Sequence, residues 1–336
     1  MLIAMNNSMH GDVRVHAVSV VVPVYGGKQS LEALVEELRQ YIEPVHKSDG
    51  AAFVIAEVVL VDDCGSDGSD QIIRYLASVY PWVRPVWLSR NFGQHAATIA
   101  GMAATSSEWI VTLDEDGQHD PLDIGAMIAV ATSTKSPLVY AKAINKEPHG
   151  FVRNLASRLL KRALLPLLLD RSHLGYFSSF RLVTGEAGRT VAAYASSGVY
   201  LDVALSWVAR TSTTCDVLFR KELRPNSGYS SRKLMSHFLR LVVSSGTRPL
   251  RIISVGGVAS FLTGSVFATT ILVQKYTNGY PVVGWASLFA LVLLIGGLIL
   301  LTLGIIAEYV GALVRKSIGL PLYVVVNDPF VGPLNN

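Results

Sequence analysis

Four apolar runs of strand length each break off into a short polar turn, and each turn leads into a helix-forming stretch. The runs are residues 17–25, 56–61, 83–88 and 108–113. The first is nearly continuous in Val and Ala, which fits a strand buried on both faces in a parallel sheet. After it come a Gly26-Gly27 turn, Ser30 as a helix N-cap, and Leu31, Leu34, Val35 and Leu38 on one helical face. The second run enters Asp62-Asp63-Cys64-Gly65-Ser66-Asp67-Gly68-Ser69, with a helix over about 69–79. The third enters Ser89-Arg90-Asn91-Phe92-Gly93 and a helix through Met102. This alternation predicts an α/β domain with a mostly parallel sheet whose ligands sit at the carboxyl ends of the strands. All four polar motifs fall at those ends.

The fourth run enters Thr112-Leu113-Asp114-Glu115-Asp116-Gly117-Gln118-His119-Asp120-Pro121. If the strand continues through this motif, Asp114 and Asp116 project one way and Glu115 the other. Two carboxylates with Gln118 beyond them supply the hard oxygen ligands that Mg²⁺ or Mn²⁺ takes and commonly shares with phosphate oxygens. A solvated acidic turn closing a strand would carry the same letters; the three other strand-end motifs favour a site. There is no GxGxxG and no GxxxxGK[ST], which argues against a dinucleotide oxidoreductase or a P-loop enzyme.

Half of the 336 residues are hydrophobic and only 16% are charged, and the apolar surplus lies towards the C-terminus. Residues 252–273 and 276–307 contain no charge. Each is long enough for the ~30 Å hydrocarbon core, which takes about 20 residues; two buried core helices are the alternative. Arg248 and Arg251 precede the first stretch, Arg315 and Lys316 follow the second, and only Lys275 lies between. The positive-inside rule then puts both ends of a hairpin in the cytoplasm. A net charge of +4, with no basic run interleaved with aromatics, gives no ground for nucleic acid. Residues 1–16 lack an apolar signal core and read as a disordered leader. Cys64 and Cys215 have no metal-ligand spacing and read as packed residues.

The motifs VVVPVY, VDDCGSDGS, LSRNFGQHAA and LDEDGQHDP, in that order, resemble those of family 2 glycosyltransferases with the GT-A fold. With two C-terminal spans, the chain is similar to the polyprenyl-phosphate glycosyltransferase branch, which includes dolichyl-phosphate mannose synthases and undecaprenyl-phosphate glycosyltransferases. The resemblance covers roughly residues 17–316. It implies that Pro23 and Tyr25 line the nucleotide base and that Asp63, with Asp62 beside it, meets base or ribose. It also implies that Asp114 and Asp116 hold the metal on the diphosphate, with Gln118 close by. Arg90 would contact a phosphate or pair with an acid. Tyr25 as a packed strand end and Asp62 as a helix-capping turn stay open alternatives.

The acceptor side is expected downstream. A strand over 138–141 is followed by Lys142. Residues 154–169 form an amphipathic pattern with Arg158, Lys161 and Arg162 on the polar face, fitting an interfacial helix or a core-packed one. Ser178-Ser179-Phe180-Arg181 stands where many relatives carry Asp-Phe-Arg, with Ser179 in place of the Asp. A lipid monophosphate has a second pKa near 6, so this acceptor needs charge neutralisation and alignment more than a base. Arg181, and Arg224 or Arg220 before it, would meet the diphosphate or the lipid phosphate; Arg224 as a surface arginine is the other reading. Gly26-Gly27 stands where relatives often have Asn-Glu, a Glu that helps with base or sugar in the family. A second amphipathic helix, within 231–250, leads to the first span.

The expected organisation is thus a leader (1–16), a GT-A catalytic domain (17–230), a juxtamembrane helix (231–250), a two-helix transmembrane hairpin (about 252–273 and 284–307, within 251–316) and a cytoplasmic tail (317–336). The expected protein is a multi-pass enzyme of the inner membrane. It would move a sugar from a nucleotide-sugar, a UDP-sugar by preference, to an undecaprenyl-type phosphate at the cytoplasmic face, with Mg²⁺ or Mn²⁺, inversion, and homo-oligomerisation left open. Two alternatives remain. One is a family 2 enzyme that builds a polysaccharide chain, although no Gln-x-x-Arg-Trp is present. The other is a non-catalytic GT-A subunit of a lipid-sugar flippase.

Overall fold

The computed structural model describes residues 14–45, 50–145, 177–195, 199–220 and 284–331, with scattered positions between 255 and 277. Eight strands form one sheet. They are β1 (His16–Val24), β2 (Phe53–Asp62), β3 (Val83–Leu88), β4 (Trp109–Thr112), β5 (Leu138–Ala143), β6 (Arg181–Thr184), β7 (Ser212–Val217) and β8 (Val325–Val326). Their order across the sheet is β7-β5-β6-β4-β1-β2-β3-β8. β1 pairs in parallel with β2 and β4, β2 with β3, and β5 with β7, whereas β6 and β8 run antiparallel to their neighbours.

Strand alternation sorts the core into two layers. Val18, Val20, Val22 and Val24 of β1, with Val58 and Leu60 of β2, pack on one face with helices α1 (Leu31–Leu38), α2 (Ser69–Val79) and α4 (Ile124–Thr134). Val21, Val59 and Val61 face the other way, towards α3 (Gln94–Ala103), α5 (Gly185–Tyr194) and α6 (Leu201–Val208). Two apolar faces explain why β1 reads as a continuous hydrophobic run. Pro23 is tolerated in this central strand because pairing with β4 ends at Val21↔Thr112, so its missing N–H leaves no gap on that side.

Three expectations change here. The Ser30 side chain makes no capping bond; the Gly27 carbonyl accepts from the Ser30 and Leu31 N–H groups instead. β4 ends at Thr112, so residues 114–116 lie in a turn, and strand alternation does not set their directions. Cys64 is exposed, with φ +53°, and donates its thiol to the Leu88 carbonyl; Cys215 is buried as expected.

The C-terminal segment is part of the sheet. After α7 (Trp285–Ser317), β8 pairs with Trp87 and Leu88 of β3. Arg74 of α2 clamps the segment: it pairs with Asp328 at 2.8 Å and with Asp70 at 2.9 Å, and its guanidinium lies over Phe330 and Trp87. Among the described residues no helix is long and apolar enough to cross a membrane, so the hairpin is not established by the fold. Several side chains of α7 lie outside the described residues. So do most of the first expected span, the leader up to Val13, and the amphipathic stretches 154–169 and 231–250.

Candidate active site

The loops after β1, β2, β3 and β4 converge at the carboxyl ends of the sheet and are tied together by carboxylates accepting backbone N–H groups. Such bonds are charge-assisted and stronger than neutral ones. Asp63 accepts from Phe92 and Gly93 at 2.7 and 2.9 Å, joining the β2 loop to the start of α3. Asp67 accepts from the Lys28 N–H at 3.0 Å and from the Ser69 hydroxyl at 2.7 Å. Glu115 accepts from Tyr25 at 3.0 Å and from Gly26 at 3.1 Å. Gly65 packs so closely that a Cβ there would lie 1.9 Å from the Tyr25 carbonyl oxygen, which is why this position must be glycine.

Asp114 is oriented from two sides. Gln94 Nε2 donates to Oδ1 at 2.7 Å, and the Ser179 hydroxyl donates to Oδ2 at 2.5 Å. The Asp114 N–H donates to His119 Nδ1 at 3.1 Å, so the ring proton sits on Nε2, which lies 3.9 Å from Asp114 Oδ2. His119 is buried between Phe180 and Phe219, and burial holds its pKa below the ordinary value against the opposing pull of Asp114 and Asp116. Asp116 Oδ1 accepts from the Gln118 N–H at 3.0 Å, closing the turn. The Gln118 carbonyl accepts from Arg220 N at 2.8 Å.

The structure therefore places Tyr25, Asp62, Asp63, Arg90, Asp114, Asp116 and Gln118 at or just beyond the carboxyl ends of β1 to β4. Tyr25 is 54% exposed, while Pro23 is buried within β1. Arg90 is exposed and lies over the Phe92 ring at 4.5 Å. Asp62 is buried, its Oδ1 has no hydrogen-bond partner, and burial followed by the nearby Asp70 charge pushes its pKa up to about 6. Asp63 is also raised by burial, with the two loop N–H groups opposing.

Two arginines take other places than expected. Arg181 is 4% exposed; it pairs with the buried Asp202 at 3.0 Å and donates to the Ser178 carbonyl at 2.9 Å. It is thus a buried support for the Ser178–Ser179 segment, held in the core by Asp202. Arg220 is engaged by Glu37 and Asp120 at 2.8 and 2.7 Å. Arg224 lies outside the described residues. Lys142 pairs with Asp216 at 3.0 Å. Sequence reasoning missed Glu115, Asp67, Gln94 and Asp202. Only the spacing of Glu115 within the acidic turn was visible beforehand, and it pointed the wrong way.

The candidate donors for a metal are the carboxylates of Asp114 and Asp116, with Gln118 next to them in the turn. Among the described residues no group of three His, Cys, Asp or Glu side chains could hold a metal ion. Two hard oxygens fit Mg²⁺ or Mn²⁺ only when phosphate and water complete the shell, as is usual for Mg²⁺.

Residues 19–191 match the family described as Glycosyl transferase family 2. The chain is 28% identical over 315 residues to an undecaprenyl-phosphate 4-deoxy-4-formamido-L-arabinose transferase of Serratia proteamaculans, covering 92% of each chain. It is 23% identical over 317 residues to a bactoprenol glucosyl transferase of Shigella phage SfV, covering 93% of this chain and 98% of that one. Among solved structures, glucosyl-3-phosphoglycerate synthase from Mycobacterium tuberculosis gives a TM-score of 0.48 at 19% identity, over 69% of this chain and 80% of that one. With the family match spanning half of the chain and an α/β, mostly parallel GT-A sheet presenting its acidic turn at the strand ends, this protein belongs to glycosyl transferase family 2.

Proposed function

We propose that the protein transfers a sugar from a nucleotide-sugar, a UDP-sugar by preference, to a polyprenyl phosphate of the undecaprenyl type. One observation carries the reading. The turn bearing Asp114 and Asp116 stands at the carboxyl end of central strands, tied by Glu115 to the Tyr25 turn, in a chain that aligns nearly end to end with an undecaprenyl-phosphate sugar transferase and a bactoprenol glucosyl transferase. Asp114 and Asp116, with Gln118 beside them, would hold Mg²⁺ or Mn²⁺, which supplies positive charge for the leaving nucleoside diphosphate. Tyr25, Asp62 and Asp63 would take the nucleoside end and Arg90 a phosphate. The acceptor is already a dianion near neutral pH. Its oxygen forms the new bond to the anomeric carbon as the bond from that carbon to the diphosphate oxygen breaks, giving inversion in one step. No proton has to be removed, so Ser179 need not be a base.

The lipid acceptor requires a membrane, and the charge-free stretches 252–273 and 284–307 are the proposed anchor. β8 pairs with the sheet edge, which would keep the C-terminal end of the proposed anchor on the side of the catalytic domain. Two experiments test this. Purified protein with undecaprenyl phosphate and a panel of nucleotide-sugars should give a lipid-linked product with at least one donor; no product and no nucleotide release across the panel would overturn the reading. Tags at the N-terminus and Asn336 should be protected on intact cells and a tag at Asn278 accessible; the reverse pattern would overturn the topology.

A further inference from the structure

The acidic turn carries a third carboxylate, Glu115, to which the reading above gives no part in holding the cation or the donor. Glu115 lies between Asp114 and Asp116, yet its side chain leaves the turn and reaches the end of β1. Oε2 accepts from the Tyr25 N–H at 3.0 Å, and Oε1 accepts from the Gly26 N–H at 3.1 Å. The next residue makes room for it. A Cβ on Gly27 would lie 2.7 Å from Glu115 Oε2, so close that the carboxylate would have to shift, and a tight 3.1 Å from Val24 Cγ1. The φ of Gly27 is not among the positive ones, so its lack of a side chain answers to space and not to backbone conformation. On the other side of the same turn, Gly65 abuts the Tyr25 carbonyl. The Tyr25 backbone is therefore gripped from both sides while the residue stays 54% exposed.

We propose that Glu115 is a positioning residue for donor binding: its carboxylate holds the Tyr25–Gly26 turn at the mouth of the nucleotide site, and Gly27 is its steric counterpart. The proposal rests on the reading of Tyr25 as part of the nucleotide site. Where the residue after this Gly26 could have offered a carboxylate from β1, the chain brings one across from the β4 loop. The bond couples the nucleoside end of the site to the turn that holds Asp114 and Asp116, so donor binding and the acidic turn share one rigid element. An ionised acceptor of two N–H groups is charge-assisted, and its loss would let the Tyr25 turn move without removing any group that touches the diphosphate.

The test is a double-mutant cycle on the full-length protein in detergent. Binding of UDP and of GDP with Mn²⁺ is followed by calorimetry, and KM for donor and kcat are measured with whichever nucleotide-sugar the wild type uses. Glu115→Ala should weaken nucleotide binding and raise donor KM about tenfold with kcat within about twofold. Gly27→Ala should do the same, because its Cβ displaces the carboxylate. The double variant should be no worse than Glu115→Ala alone, as expected for two changes acting through one contact. Glu115→Gln, which keeps the volume and one acceptor, should fall between and covers the case in which Glu115→Ala does not fold. Additive losses, unchanged binding in Glu115→Gln and Glu115→Ala, or a loss confined to kcat would each overturn the proposal. A wild type that binds neither nucleotide would overturn the glycosyl-transfer reading together with it.

Discussion

The Ser179 hydroxyl donates to Asp114 Oδ2 at 2.5 Å, across 65 residues of chain. The bond orients the first acid of the turn from just before the start of β6. Ser179→Ala should lower kcat about tenfold, the cost of a hydrogen bond to a charged group, while Ser179→Thr keeps most of the rate. Steady-state transfer assays at saturating donor check this; a wild-type rate in the alanine variant would show that the bond is dispensable.

Asp114→Asn and Asp116→Asn should each reduce transfer by at least about a hundredfold, since each removes one of the two charges available to a diphosphate-bound cation. EDTA should silence the wild type, and Mn²⁺ or Mg²⁺ should restore it. Full activity in chelator would refute a metal at this turn.

Asp202 is buried against Arg181 at 3.0 Å and accepts from the Tyr140 hydroxyl at 3.0 Å. Burial pushes the Asp202 pKa up, and the Arg181 charge and the Tyr140 bond oppose it. Removing one partner leaves an uncompensated core charge, so Asp202→Ala should destabilise the fold by about 3–5 kcal/mol. Thermal unfolding should show a large fall in Tm. Donor KM should stay nearly unchanged in whatever fraction folds, because Arg181 supports Ser178 from behind.

Asp62 has a folded-state pKa of about 6, raised mainly by burial. A raised carboxyl pKa means that the folded state binds the proton more tightly than the unfolded one. The penalty is absent below the unfolded value near 4, grows as pH rises towards 6, and is complete above it. Asp62→Asn should therefore stabilise the fold at pH 8 by on the order of 3 kcal/mol at most, given about 1.4 kcal/mol per pKa unit, and raise Tm there. The gain should vanish near pH 4. A gain independent of pH would show that Asp62 ionisation is not its source.

The Arg74–Asp328 pair joins residues 254 apart in the chain. Arg74→Ala also loses the contacts with Phe330 and Trp87, and it should release β8. Hydrogen exchange at 324–331 should quicken at least tenfold, with exchange in β1 and β2 unaffected.

Much of the fold was legible because burial leaves a local pattern. β3 was expected at 83–88 and stands there, and α2 was expected at 69–79 and stands there. The acidic turn was expected at the end of an apolar run, and β4 leads directly into it. These are properties of a residue and its near neighbours, so hydrophobic run length and turn letters alone determine them. The identity of each carboxylate's partner was decided only by tertiary structure. Strand alternation sent Glu115 away from the site, but β4 stops at Thr112, and the turn swings the side chain across to Tyr25, 90 residues away. Arg181 looked like a phosphate ligand until Asp202 was seen to take it into the core, and the segment after Ser317 looked like a tail until β8 paired with β3. A hydrogen bond or ion pair depends on which distant loops converge, and no local period encodes that.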